Sequence, residues 1–173
     1  MKHKFFITIL PLITCIITSC SKDKPLDTSS NNVSATISIG SNAPFQFSAT
    51  GVAVKFYQPL SGGGLYYDLE AIDTKNNNKL FIGIDNLTQT GIYPFTSNSG
   101  MIGTGSTFTF IKDLGSASQL IYWTMDPSIT DRGSVTITAF NSHHIEGMFN
   151  AFCNPELTGE VAQVSNGSFK VNF

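Results

Sequence analysis

The sequence predicts an all-β fold: a single antiparallel β-sandwich or partly open barrel of about nine or ten short strands. Three observations predict it. From Val33 onward the apolar residues recur with a period of two rather than 3.6. Gly or Asn punctuates nearly every gap between the alternating runs. Charged residues make up only 13% of the chain, about half the usual quarter, while Ser, Thr, Asn and Gly are abundant, which suits strands and turns better than helices. The 173 residues suffice for one domain with a substantial core and are too few for two ordinary ones. The same composition excludes a charge-rich disordered chain, a coiled coil and a basic nucleic-acid binder.

Taken in order, Ser34 to Ile39 alternates cleanly, and Phe45 to Phe47 and Val52 to Phe56 follow. Leu65 to Asp73 and Lys79 to Asp85 flank Thr74 and Asn76 to Asn78, a turn-rich joint of the hairpin type. Ile92 to Phe95 is short and contains Pro94, which places it at a sheet edge or strand end. Thr107 to Lys112 and Gln119 to Met125 come next. Pro155 to Val164 is the one candidate helix. Gly159 interrupts it, and Val161 and Val164 could equally begin the last strand. The glycine-rich Gly62 to Gly64 and Gly100 to Gly105 read as connections. Neither introduces a helix or carries the lysine of a phosphate loop.

The closing forty residues carry the sheet pattern most clearly. In Ser134 to Phe140 one face holds Val135, Ile137 and Ala139, and the other Thr136, Thr138 and Phe140. Asn141 to His144 forms a turn, after which Ile145, Gly147, Phe149, Ala151 and Cys153 share a face. Gly147 marks a place where a neighbouring ring or backbone comes close. Asn166-Gly167 is either a tight turn or a bulge. Phe169, Val171 and Phe173 then align, which makes the C-terminus a paired strand.

Before this domain lies a segment of a different kind. Lys2 and Lys4 precede an almost wholly apolar run from Phe5 to Ile17, and no acid occurs before Asp23. That is the pattern of an export signal. The run is shorter than the roughly 20 residues of a bilayer span, and Pro11 interrupts it. Ile17-Thr18-Ser19-Cys20 resembles the lipobox of bacterial lipoproteins, with Ile where that pattern prefers Leu. The resemblance implies cleavage between Ser19 and Cys20 and acylation of Cys20. It divides the chain into a signal at 1–19, an acylated Cys with a flexible tether at 20–33, and a β domain at 34–173. Each buried methylene adds about 0.8 kcal/mol, so two or three acyl chains on one residue hold firmly where one holds marginally. Ser21, where an Asp resembles an inner-membrane retention signal, points to the outer membrane. Which face of that membrane the domain occupies stays open.

Loss of Lys2 and Lys4 with the signal leaves 8 basic against 12 acidic residues, a net charge of −4. Such a body is drawn neither to nucleic acid nor to anionic lipid heads. The membrane is a partner through the Cys20 anchor alone.

Three groups of residues resemble the strands of certain small Bacteroidetes lipoproteins whose domain has no known function. They are Gly40 to Phe45, then Gly91-Ile92-Tyr93, and finally the closing Gly133 to Thr138, Ile145 to Ala151 and Val164 to Phe169. The resemblance implies a fold and an address, and it implies no activity.

Candidates for chemistry are sparse. His143 and His144 are adjacent, so strand geometry sends them to opposite faces, and a zinc site needs three or four ligands. A polar hairpin turn is the expectation, with no metal and no cofactor. Asp85-Asn86 and the Asn76 to Asn78 turn lack the ligand density of a calcium loop. Cys153, closing the apolar stretch Ala151-Phe152-Cys153, reads as a small buried hydrophobe. Asp68 and Glu70 share a face, a pairing that glycoside hydrolysis uses. Among the aromatics, Trp123, Tyr66, Tyr67 and Tyr57 are the candidate ligand contacts, since exposed rings on a sheet can stack on sugars. Tyr66 and Tyr67 point opposite ways, as do Tyr122 and Trp123. The expectation is a membrane-anchored, non-enzymatic binding or scaffolding lipoprotein whose partner is a glycan or an envelope protein. The alternatives are a carbohydrate-binding module and a small glycan hydrolase using Asp68 and Glu70.

Overall fold

The computed structural model describes residues 28–57, 66–97, 105–157 and 159–173. The signal, Ser19, Cys20, most of the tether, Leu65, Gly62 to Gly64 and Gly100 to Thr104 lie outside the described residues.

Eleven strands form among the described residues: β1 (Asn32–Ile39), β2 (Phe45–Thr50), β3 (Val54–Tyr57), β4 (Tyr67–Asp73), β5 (Asn78–Ile84), β6 (Gly91–Pro94), β7 (Thr107–Lys112), β8 (Leu120–Trp123), β9 (Gly133–Asn141), β10 (His144–Pro155) and β11 (Ala162–Asn172). All strand pairings are antiparallel. The main path runs β2-β1-β11-β10-β8-β7-β5-β4-β3, with β9 against β10 and β6 against β9 as a branch. The two ends of the path, β2 and β3, are consecutive in the chain and joined through a short 3-10 turn at Gly51–Ala53. The sheet therefore curls into a nearly closed barrel. A bond from the Ser48 amide of β2 to Asp73 Oδ2 of β4, 3.4 Å, crosses the seam.

The period of two delivers the core. On β1 it buries Val33, Ala35, Ile37 and Ile39, and on β10 Ile145, Gly147, Phe149, Ala151 and Cys153. Rings fill much of the interior. Phe95, Phe108, Phe149 and Phe169 form one chain with successive centroids 5.8–6.3 Å apart. Phe173, Phe56, Tyr67 and Phe140 form another. Asp73 organises the β4–β5 turn. It accepts from the Lys75 and Asn76 amides at 3.1 and 3.2 Å and from Asn76 Nδ2 at 2.7 Å, while Asn77 takes φ +54°.

Several sequence expectations change in detail. Among the described residues of 155–164, no helix forms. β10 continues to Pro155 and β11 starts at Ala162, so Val164 belongs to the last strand, the alternative reading of that stretch. β1 starts at Asn32, two residues ahead of Ser34, and Asn31 is buried. Asn166-Gly167 is a bulge. Phe149 pairs Gly167 but Ala151 pairs Val164, so β11 carries one extra residue, with Asn166 at φ +50°. The extra residue lets Val164 and Gly167, three apart, both point inward.

A second bulge moves Phe140. Ile137 pairs Gly147 and Ala139 pairs Glu146, leaving Thr138 unmatched. Beyond that slip every side chain changes face. Phe140 therefore turns into the core beside Tyr67, 5.7 Å away, rather than outward with Thr136 and Thr138.

Candidate functional site

The outer surface of the barrel is where chemistry could act, and strand register orders it into rows. One row runs Lys55, Glu70, Phe81, Thr109, Trp123 and Asn154 across β3, β4, β5, β7, β8 and β10. The next runs Tyr57, Asp68, Gly83 and Thr107. Tyr66 lies over the second row. Its hydroxyl contacts Thr107 Oγ1 at 3.1 Å and occupies the space that a Cβ on Gly83 would need.

Tyr66 and Tyr67 do point opposite ways. Tyr67 faces inward, stacked on Phe56 at 5.4 Å, so its ring is engaged by the core. Tyr122 is buried against Phe110 at 5.9 Å, while Trp123 faces out. Tyr57 is 47% exposed and shares a row with Asp68, next to Tyr66. The structure therefore places Tyr57 on edge strand β3 and Tyr66 just ahead of β4, with Trp123 on β8 four and three strands further along, and Tyr67 inside.

Asp68 and Glu70 share the outer face but differ in setting. Glu70 pairs with Lys79 at 3.0 Å. Asp68 Oδ1 is buried without a hydrogen-bond partner, and burial raises the pKa of its carboxyl above the ordinary carboxylate value. A raised pKa means the folded state penalises the ionised form. The destabilisation sets in as pH rises past the unfolded carboxyl value and grows until the folded value is passed. Asp68→Asn removes the charge at constant shape. We expect it to raise stability at pH 7 by less than about 1 kcal/mol, given the partial exposure. The gain should vanish below pH 4; urea denaturation at both pH values checks this.

His144 and His143 differ in setting. His144 lies between Asn172 Oδ1 (2.8 Å from Nδ1) and Glu146 Oε1 (3.0 Å from Nε2), and Glu146 also pairs with Lys170 at 2.8 Å. His143 is exposed, and its amide donates to Asn141 Oδ1. Among the described residues, no three His, Cys, Asp or Glu gather as metal ligands. Cys153 is buried in the core, and burial pushes its thiol far up. It is inert as a nucleophile.

One concavity was not among the sequence candidates. A groove of about 540 Å3 lies over the outer face of β10 and β11, walled by the segment 128–133. Its floor is the polar face of β10, where Asn150, Phe152 and Asn154 alternate with the buried Ala151 and Cys153. Phe152 is 38% exposed and pairs directly with Gln163 of β11. The wall is rigidly held. Arg132 donates to the carbonyls of Thr124 and Asp126, both at 2.9 Å. Asp126 accepts from the Ser128 amide and hydroxyl at 2.8 and 2.7 Å, and from Asn154 Nδ2 at 2.7 Å. The Asn154 and Ser128 bonds hold the Asp126 carboxyl below the usual carboxylate range. The Phe152 amide donates to the Arg132 carbonyl, tying wall to floor.

Beyond Asp126 and Asn154 lies a second depression, containing Trp123, Met125, Pro127 and Pro155. Trp123 therefore stands next to the groove, on the far side of its polar ridge. A signal for the groove was present in the sequence: Asn-x-Phe-x-Asn at 150–154 puts an aromatic ring on the polar face of an otherwise apolar-in strand.

No known protein family, no curated protein and no solved structure matches this chain.

Proposed function

We propose that this chain is a lipoprotein of the outer membrane, anchored through Cys20, whose β domain works by binding. The observation that carries the binding half is the groove over β10 and β11. Its wall is fixed by Arg132 and Asp126, and it exposes an aromatic ring beside polar side chains. A pre-organised concavity of this kind lowers the ordering cost of association. The anchoring half rests on the lipobox resemblance at Ile17 to Cys20 and on the arithmetic of acyl-chain burial.

Cys20→Ser tests the anchor. The native chain is expected in the membrane fraction, beginning at an acylated Cys20 by mass spectrometry. The variant should retain its signal or leave that fraction. An unmodified thiol at position 20 in the native protein would end the lipoprotein reading.

One observation favours a second reading, a small glycan hydrolase. Asp68, with its raised pKa and unpartnered Oδ1, lies beside Tyr66 on the face that also carries Glu70. A carboxyl whose pKa is raised by burial is the kind a general acid uses. Release of reducing sugar from neutral polysaccharides, abolished in Asp68→Asn, would favour hydrolysis over binding.

A further inference from the structure

We propose that the groove over β10 and β11 is a subsite for a neutral oligosaccharide, with Phe152 as the stacking platform and Asn150 and Gln163 as hydroxyl readers. This rests on the binding reading above and names its ligand class.

Three features select that class. Phe152 presents its ring outward from a strand, between Asn150 and Asn154 and opposite Gln163. A flat apolar surface edged by amides matches a sugar ring, which offers C–H faces and in-plane hydroxyls. The Asn150 and Gln163 side chains are exposed and engage no hydrogen-bond partner among the described residues, so each offers both a donor and an acceptor. Asn154, by contrast, is committed to Asp126 and Ser128 and serves as wall.

Charge excludes an anionic ligand. No basic side chain lines the groove among the described residues, and Asp131 adds a negative charge. Arg132, the nearest cation along the chain, spends its Nε and Nη2 on backbone carbonyls.

Backbone pairing argues against an extended peptide. Strand addition needs free main-chain groups. Here Ala151 pairs both Gly133 and Val164, and the Phe152 amide already bonds Arg132. On the groove floor only side chains remain to recognise a ligand, and amides bind hydroxyls.

The test uses the full acylated chain in a detergent without sugar headgroups. Cellohexaose, mannohexaose, xylohexaose and chitohexaose are titrated by calorimetry, with hexagalacturonate as the anionic comparator. At least one neutral hexasaccharide should bind. Phe152→Ala should weaken it at least tenfold, Gln163→Ala should weaken it too, and Phe152→Tyr should retain it. All three variants should melt with the native chain, since the substituted side chains are exposed. Binding of none of the neutral sugars, or equal affinity for Phe152→Ala, overturns the proposal. In parallel, the chain is passed over a delipidated envelope fraction before and after periodate oxidation of its glycans. Retention that survives oxidation but is lost in Phe152→Ala overturns the sugar class and leaves the groove as a binding site. No retention in either case overturns both readings.

Discussion

Removal of Val171, Asn172 and Phe173 is expected to lower the melting temperature of the domain by about 8–16 °C, or to leave it unfolded. β11 is not a terminal fringe. It lies between β1 and β10 and pairs along both. Val171 is fully buried, and the Phe173 ring packs 4.6 Å from Phe56. Loss of these two side chains removes about 4 kcal/mol of apolar burial. A domain of this size shifts by roughly 2–4 °C per kcal/mol. The polar side of the loss adds to it. The Asn172 amide donates to Asn31 Oδ1 at 2.8 Å, its side chain donates to Ser30 Oγ at 2.6 Å, and His144 meets its Oδ1. Without Asn172, buried Asn31 loses its partner, an unsatisfied group that costs about 1–3 kcal/mol. Thermal melts of the full chain and the truncated chain decide the matter. Coincident transitions would mean that the C-terminal strand is not part of the cooperative unit.

The same residues show how far the sequence can be read. The alternation Phe169, Val171, Phe173 names a strand and its buried face, because a side-chain period of two is a property of local backbone geometry. It does not name the partner strands, since pairing β11 with β1 joins residues more than a hundred positions apart. Bulges are the second blind spot. Thr138 resembles any other residue of an alternating run, yet its lack of a partner in β10 turns Phe140 inward. Only the register between two strands reveals the extra residue.

The candidate site divides along the same line. Single-residue burial followed from pattern: Cys153 lies inside, and Tyr122 and Trp123 face opposite ways. The groove did not, because it is made by the Arg132 and Asp126 bonds that hold a loop above a strand. Hydrogen bonds from a guanidinium to main-chain carbonyls leave no mark in the order of residues. Phe152 was legible as an odd ring on a polar face, but its setting was not.

Gly147→Val reverses what propensity teaches. Val is among the best strand formers, and Gly in a strand interior costs about 0.5–1 kcal/mol, so propensity alone predicts a gain. Packing predicts a loss of about 3 kcal/mol, at the upper end for overfilled cores. A Cβ at position 147 would stand 2.6 Å from Phe169 Cζ and equally close to the Thr136 carbonyl oxygen. The ring can rotate, but the carbonyl belongs to β9 and is fixed by its pairing with β10. The arrangement is reciprocal. Gly147 pairs directly with Phe169, and Phe149 pairs directly with Gly167, whose own Cβ would meet the Phe149 ring at 2.5 Å. Each glycine is roofed by the aromatic ring across from it, and the two rings lie 6.3 Å apart. A larger residue at 147 displaces Phe169, which disturbs Phe149 and through it Phe108, 5.8 Å away. Urea denaturation should therefore show a lower midpoint for Gly147→Val. Gly147→Ala should fall between it and the native chain, because its methyl group meets the same oxygen with less bulk. A midpoint equal to or above the native one in both variants would show that the Gly–Phe pairs do not set the spacing of β9, β10 and β11.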